Sequence, residues 1–139
     1  MRELYLLLGS NLGDRRSYID EALAALEKVF GAPRRSSPII ETEACGFEGP
    51  AFLNMVTVYE SAMKPEDALA ACKSIERSMG RTDAPEFAPD GSRIYHDRTI
   101  DIDILLYGDI EMDTPLLKIP HPQVLGRPFV SLLLDAVRP

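Results

Sequence analysis

Arg98-Thr99-Ile100-Asp101-Ile102-Asp103-Ile104-Leu105-Leu106-Tyr107-Gly108 is the stretch around which the rest of the chain is organised. Ile100, Ile102, Ile104 and Leu106 alternate with Asp101, Asp103 and Tyr107, the period of two that marks a half-buried β-strand. Side chains two apart on a strand leave the same face roughly 6–7 Å from one another. Asp101 and Asp103 therefore stand side by side in front of an apolar stripe. At that separation two carboxylates repel by roughly 2–3 kcal/mol for an effective dielectric of about 20. Aspartate is also a poor strand former. Two of them in so apolar a strand point to a cation, above all Mg²⁺, which takes carboxylate oxygens and keeps places for water and phosphate. The plainer reading is an edge strand with a solvated acidic face, and an isolated Asp-x-Asp does not decide between the two.

The elements on either side suggest where this strand sits. Glu3–Leu8 is an apolar run suited to a buried strand. Gly9-Ser10-Asn11-Leu12-Gly13-Asp14 reads as a tight turn with a helix cap, since the phosphate-loop pattern is absent. Ile19, Ala22, Leu23, Leu26, Val29 and Phe30 recur at helical spacing, giving an amphipathic helix over Arg15–Phe30 that Gly31 and Pro33 end. Ser36–Thr42 reads as a second strand limited by Pro38, Glu43–Pro50 as a mobile loop, and Phe52–Glu60 as a third strand with Phe52, Asn54, Val56 and Val58 on one face. Pro65 opens a second helix marked by Ala68, Leu69, Cys72, Ile75 and Met79, and Gly80 stops it. Thr82–Asp97 reads as an irregular stretch of lid length. Asp109–Leu117 should turn and extend briefly, and Val130–Leu134 is a last apolar segment. Strand, helix, strand, strand, helix, strand predicts an α+β ferredoxin-like sandwich: an antiparallel sheet with two main helices on one face and the other face free for a site.

A chain of 139 residues holds one core, so a single domain over 1–139 is expected. Its formal charge of −7 argues against DNA or RNA as partner, though local arginines can still dominate a cleft. No apolar run approaches bilayer length and no signal-peptide core opens the chain, so a cytoplasmic protein is expected. Cys45 and Cys72 are too few and too far apart for a disulfide framework or a zinc site.

Downstream of the acidic strand come Ile119-Pro120-His121-Pro122, four more residues, and Arg127-Pro128-Phe129. Taken with Asp101-x-Asp103, Gly9-Ser10-Asn11-Leu12 and Phe52-Leu53-Asn54, this ordered set resembles the hydroxymethyldihydropterin pyrophosphokinases of folate biosynthesis over nearly the whole chain. The resemblance implies the same ferredoxin-like core. It also implies transfer of pyrophosphate from ATP to the hydroxymethyl oxygen of a reduced pterin, by attack on the β-phosphorus with release of AMP. Asp101 and Asp103 would then hold two Mg²⁺ ions, and no general base is required. Arg81, Arg98, His121 and Arg127 correspond to the family's cationic wall around the phosphates. Glu76, Arg93, Tyr95, Ile104 and Lys118 fall on the ATP side. Phe52 and Phe129 would sandwich the pterin, Asn54 would read its amide edge, and groups near Thr42 and Cys45 would complete the pocket. ATP and the pterin would be the only partners of a monomer, with no nucleic acid and no membrane.

Several residues depart from the family pattern. The chain has no Trp; Tyr95 stands nearest its usual place, and His96-Asp97 replaces a Gly-Pro before Arg98. Asp83, Glu86 and Asp90 bring negative charge to a stretch that is usually basic. Lys73 is not the residue type expected there, and strict alternation sends Arg98 to the face opposite the aspartates. Two other readings therefore stay open: a Mg²⁺-dependent phosphoryl or nucleotidyl transferase with another acceptor, and a ferredoxin-like binding module without catalysis.

Overall fold

Leu4, Leu6 and Leu8 project from one side of β1 (Arg2–Ser10), Tyr5 and Leu7 from the other, and all five are buried. A strand covered on both faces belongs inside a sheet, and β1 has a neighbour on each side in the computed structural model. The structure describes residues 1–11, 13–43, 51–79, 86, 87, 89, 93, 94 and 100–138. Gly13, at φ 64°, turns the chain after β1. The Asp14 carboxylate then accepts from the Ser17 amide at 3.1 Å and caps α1 (Arg15–Phe30), as the turn-and-cap reading expected. Ile19, Ala22 and Leu26 bury the inner face of α1.

The second predicted strand is split. β2 (Arg35–Ser36) and β3 (Ile40–Thr42) lie along the same edge of β4 (Phe52–Ser61), and Pro38, which has no N–H to give, falls between them. α2 (Pro65–Ser78) follows with Pro65 in its first turn and Ala68, Cys72 and Ile75 inward. Part of the stretch expected to be irregular forms a ribbon of β5 (Glu86–Phe87) against β6 (Arg93–Ile94). Then come β7 (Asp101–Tyr107), the hairpin of β8 (Met112–Asp113) and β9 (Lys118–Ile119), and two C-terminal helices, α3 (Gln123–Gly126) and α4 (Pro128–Val137).

The main sheet runs β2/β3, β4, β1, β7, antiparallel throughout. With α1 and α2 on one face this is the expected ferredoxin-like order. Leu4, Leu6, Leu8, Met55, Tyr59, Ile100, Ile102 and Ile104 meet both helices in the larger core. Two details differ from the sequence reading. First, alternation does not run through β7: Leu6 pairs with Ile104 and Tyr5 with Leu106, leaving Leu105 as an extra residue. A bulge of this kind flips the phase. Leu105 and Leu106 therefore turn to the second face, while Tyr107 returns to the helix side and donates to the Met63 carbonyl at 2.7 Å. Second, the face opposite α1 and α2 is not free. α4 seats Val130, Leu133, Leu134 and Val137 on Tyr5, Leu7, Val56, Val58 and Leu105. Arg35 locks the far end of this helix, donating to the Val137 carbonyl while its fork grips the Glu3 carboxylate at 2.8 and 2.9 Å. The polar row beyond Leu7 and Val56 is where a site remains. No helix among the described residues is long and apolar enough to cross a membrane.

Candidate active site

Sheet register fixes that row. Ile40 lies opposite Asn54, Asn54 opposite Gly9, and Gly9 opposite Asp101, so their side chains share the face that carries α4. Two strand spacings separate Asn54 from Asp101, about 10 Å. Gly9 between them is the floor: a Cβ there would meet Asn54 Oδ1 at 3.1 Å and Phe52 Cδ1 at 3.4 Å. Asn54 is nearly fully buried, and its Nδ2 donates to Thr42 Oγ1 at 2.6 Å, which fixes the amide plane. Arg15, in the first turn of α1, braces this end of the sheet by donating to the Ala51 carbonyl at 2.7 Å and pairing with Glu41 at 3.0 Å.

At the other end of the row Asp101 and Asp103 are half-buried on β7. Asp103 Oδ2 accepts from Gln123 Nε2 at 3.0 Å. Burial raises the Asp103 pKa to about 7, the Asp101 charge adds to the rise, and the Gln123 hydrogen bond opposes it. Two carboxylates thus repel each other where water is scarce, and a divalent cation is the group that would relieve them. Among the described residues no cluster of three His, Cys, Asp or Glu side chains forms. A donor set of two carboxylates fits Mg²⁺, whose remaining places go to water and phosphate.

The segment after β9 builds the cationic side. The His121 amide donates to the Leu105 carbonyl at 2.9 Å, and its ring Nδ1 accepts from the Gln123 amide at 3.1 Å. That leaves Nε2 as the N–H of a neutral ring. Burial pushes the His121 pKa below the usual imidazole value, with Asp101 pulling the other way. Arg127 Nη1 donates to Gln123 Oε1 at 2.8 Å while its guanidinium lies 4.5 Å over the Phe129 ring. The ring expected to stack on a pterin thus carries an arginine on one face.

Other expected residues lie elsewhere. Glu76, expected on the nucleotide, is fully buried beneath the sheet, where Oε2 accepts from the Ile102 amide at 2.7 Å and Oε1 lies 3.4 Å from Lys73 Nζ. Its place is to hold the strand between the two aspartates. The Ile104 side chain is in the helix-side core. Lys118 pairs with Asp113 across the β8–β9 hairpin at 3.6 Å. Cys45, Arg81, Tyr95 and Arg98, the Glu43–Pro50 loop beyond Glu43 and the Arg93 side chain fall outside the described residues. Two residues were missed. Gln123 had a signal in its spacing of four from Arg127 on a helical turn. Gly9 had one as a glycine inside a strand, where another group often comes close.

The family model for 7,8-dihydro-6-hydroxymethylpterin-pyrophosphokinase (HPPK) matches residues 5–139. The chain belongs to the HPPK family. It is 44% identical over 141 residues to the 2-amino-4-hydroxy-6-hydroxymethyldihydropteridine pyrophosphokinase of Porphyromonas gingivalis, covering 100% of this chain and 92% of that one. The protein of the same name from Aquifex aeolicus is 39% identical over 140 residues, covering 100% and 82%. The mitochondrial folate synthesis bifunctional protein of Pisum sativum is 37% identical over 129 residues, covering 92% of this chain and 24% of that protein. Within this HPPK chain, a pair of carboxylates and a glycine-floored amide slot occupy one row of one sheet face.

Proposed function

We propose that the chain transfers pyrophosphate from ATP to 6-hydroxymethyl-7,8-dihydropterin in folate biosynthesis. The hydroxymethyl oxygen forms a bond to the β-phosphorus, the bond from that phosphorus to the α–β bridging oxygen breaks, and AMP leaves with the bridging oxygen. The hydroxyl proton passes to water. The observation that carries this reading is the shared row: Asn54 over the Gly9 floor at one end, Asp101 and Asp103 at the other. A spacing of about 10 Å suits a flat ring whose exocyclic oxygen must reach a phosphate chain.

Asn54 offers an acceptor and a donor to an amide edge, and Phe52 beside Gly9 offers a ring to stack on. Asp101 and Asp103 would hold magnesium, two ions by the family resemblance, which when bound supplies positive charge to the phosphates. His121 gives a neutral Nε2 donor to a phosphate oxygen. Arg127 adds a planar fork whose shape fits phosphate, and a pterin stacking on the covered face of Phe129 requires it to leave that ring. Arg81, Arg93, Tyr95 and Arg98 complete the nucleotide side, with backbone groups near Thr42 and Cys45 on the pterin side. The expected working unit is a single-domain monomer in the cytoplasm, a part of the proposal that rests on the sequence reading alone.

Nucleotide chromatography of ATP incubated with and without the pterin tests the proposal. AMP formed only when the pterin is present is expected. ADP or inorganic pyrophosphate as product would indicate a different transfer, and no turnover would leave a binding module.

A further inference from the structure

Gln123 touches both charged halves of the site. Its Nε2 donates to Asp103 Oδ2 at 3.0 Å and its Oε1 accepts from Arg127 Nη1 at 2.8 Å. We propose that Gln123 is a positioning residue, a neutral spacer that keeps the Arg127 guanidinium from closing onto the carboxylates that take the metal. A primary amide presents a donor at one end and an acceptor at the other without carrying charge. It can therefore tether an anion and a cation at once and leave both charges intact.

The backbone holds this bridge in place. The Gln123 amide is fixed on His121 Nδ1, and the Arg127 amide donates to the Gln123 carbonyl at 3.2 Å. The guanidinium has a second resting point on the Phe129 ring. Without the bridge, an arginine one helical turn away is free to form the paired hydrogen bonds that guanidinium and carboxylate make most readily. That closure neutralises Asp103 and withdraws Arg127 from the phosphates in one move. Groups that orient metal carboxylates in this way commonly change metal affinity when removed.

This inference rests on reading Asp101 and Asp103 as metal carboxylates, so its test begins with the cation alone. Free Mn²⁺ is measured by electron paramagnetic resonance against the protein without nucleotide. Gln123→Ala should weaken Mn²⁺ binding about tenfold. Adding Arg127→Ala to the same chain should restore it, which mere loss of local packing would not allow. Gln123→Met keeps the bulk without either hydrogen bond and should weaken binding in the same direction, which covers a poorly folded alanine variant. Unchanged Mn²⁺ binding in both single variants overturns the spacer, as does a loss that Arg127→Ala leaves in place. Wild-type protein that binds no Mn²⁺ overturns the metal reading and the spacer together. AMP formation by the wild type is a separate measure: its absence with the Mn²⁺ pattern intact would sink the pyrophosphokinase proposal and spare the spacer.

Discussion

Replacing Gly9 by alanine should separate folding from pterin binding. Gly9 lies inside β1 and is not among the described glycines with positive φ, so alanine can adopt its backbone. The smaller entropy of the unfolded chain then favours the variant by about 0.4–1 kcal/mol. Against this, the methyl would sit 3.1 Å from Asn54 Oδ1, and ordinary contact requires that oxygen to retreat by about 0.3 Å. Asn54 has little room to do so, being 5% exposed and tied through Nδ2 to Thr42 Oγ1 at 2.6 Å. The displaced amide misses its partner on the pterin edge, and one such hydrogen bond is worth about 1–1.5 kcal/mol, roughly tenfold in affinity. Thermal stability should stay within about 4 °C of wild type because the two contributions to folding oppose each other. The assay is pterin fluorescence titrated in the presence of a nonhydrolysable ATP analogue, with analogue binding measured separately. Unchanged pterin affinity, or equal loss for pterin and nucleotide, would show that Gly9 is not the floor of the pterin slot.

Asp103→Asn should lower turnover at least ~10³-fold through loss of the metal carboxylate. It should also raise stability at neutral pH, because the folded state holds the Asp103 pKa near 7 and ionising it there opposes folding. Calorimetry beside the AMP assay reads both, and near-normal turnover would remove Asp103 from the site. The Arg35 guanidinium holds the Glu3 pKa below its usual 4.5. A lowered carboxylate stabilises the fold above its unfolded value and loses that contribution as pH falls through the folded one. Glu3→Gln should therefore be less stable than wild type in urea at neutral pH and indistinguishable from it at about pH 2. A gap that persists in acid would show that the charge on Glu3 is not the cause. Burial pushes the Cys72 thiol up to about 12, so in a Cys45→Ser background an aromatic disulfide reagent should label no thiol until denaturant is added. Prompt labelling of the native protein would contradict the packing of α2 on the sheet.

Most of the frame was readable because periodicity reports burial directly. The α1 bounds, the Asp14 cap and the aspartates on the face away from α1 and α2 all follow from local pattern, whereas Pro38, expected to limit a single strand, instead divides it in two. What escaped depends on neighbours distant in sequence. Leu105 looks like any strand leucine until β1 shows it is one residue too many. Val130–Leu134 showed only that something apolar must be covered, whereas α4 needed Tyr5, Leu7, Val56 and Val58 to say by what. Glu76 carried a family position but not its direction, which is set by the Ile102 amide reaching it from the strand above. For Gln123 the spacing of four from Arg127 hinted at one partner, but the contact with Asp103, twenty residues earlier, shows only in the fold.

β7 pairs with β1 on one side and, among the described residues, with no strand on the other. An open margin of this kind is a template on which a second chain can lay a strand and begin an aggregate. Here the Glu76 carboxylate occupies the Ile102 amide, and the His121 amide occupies the Leu105 carbonyl. Two of the main-chain groups an incoming strand would need are thus already taken. The contacts that set the acidic strand in place also make the sheet a poor seed for edge-to-edge polymers, so solubility and catalytic geometry in this protein share the same few hydrogen bonds.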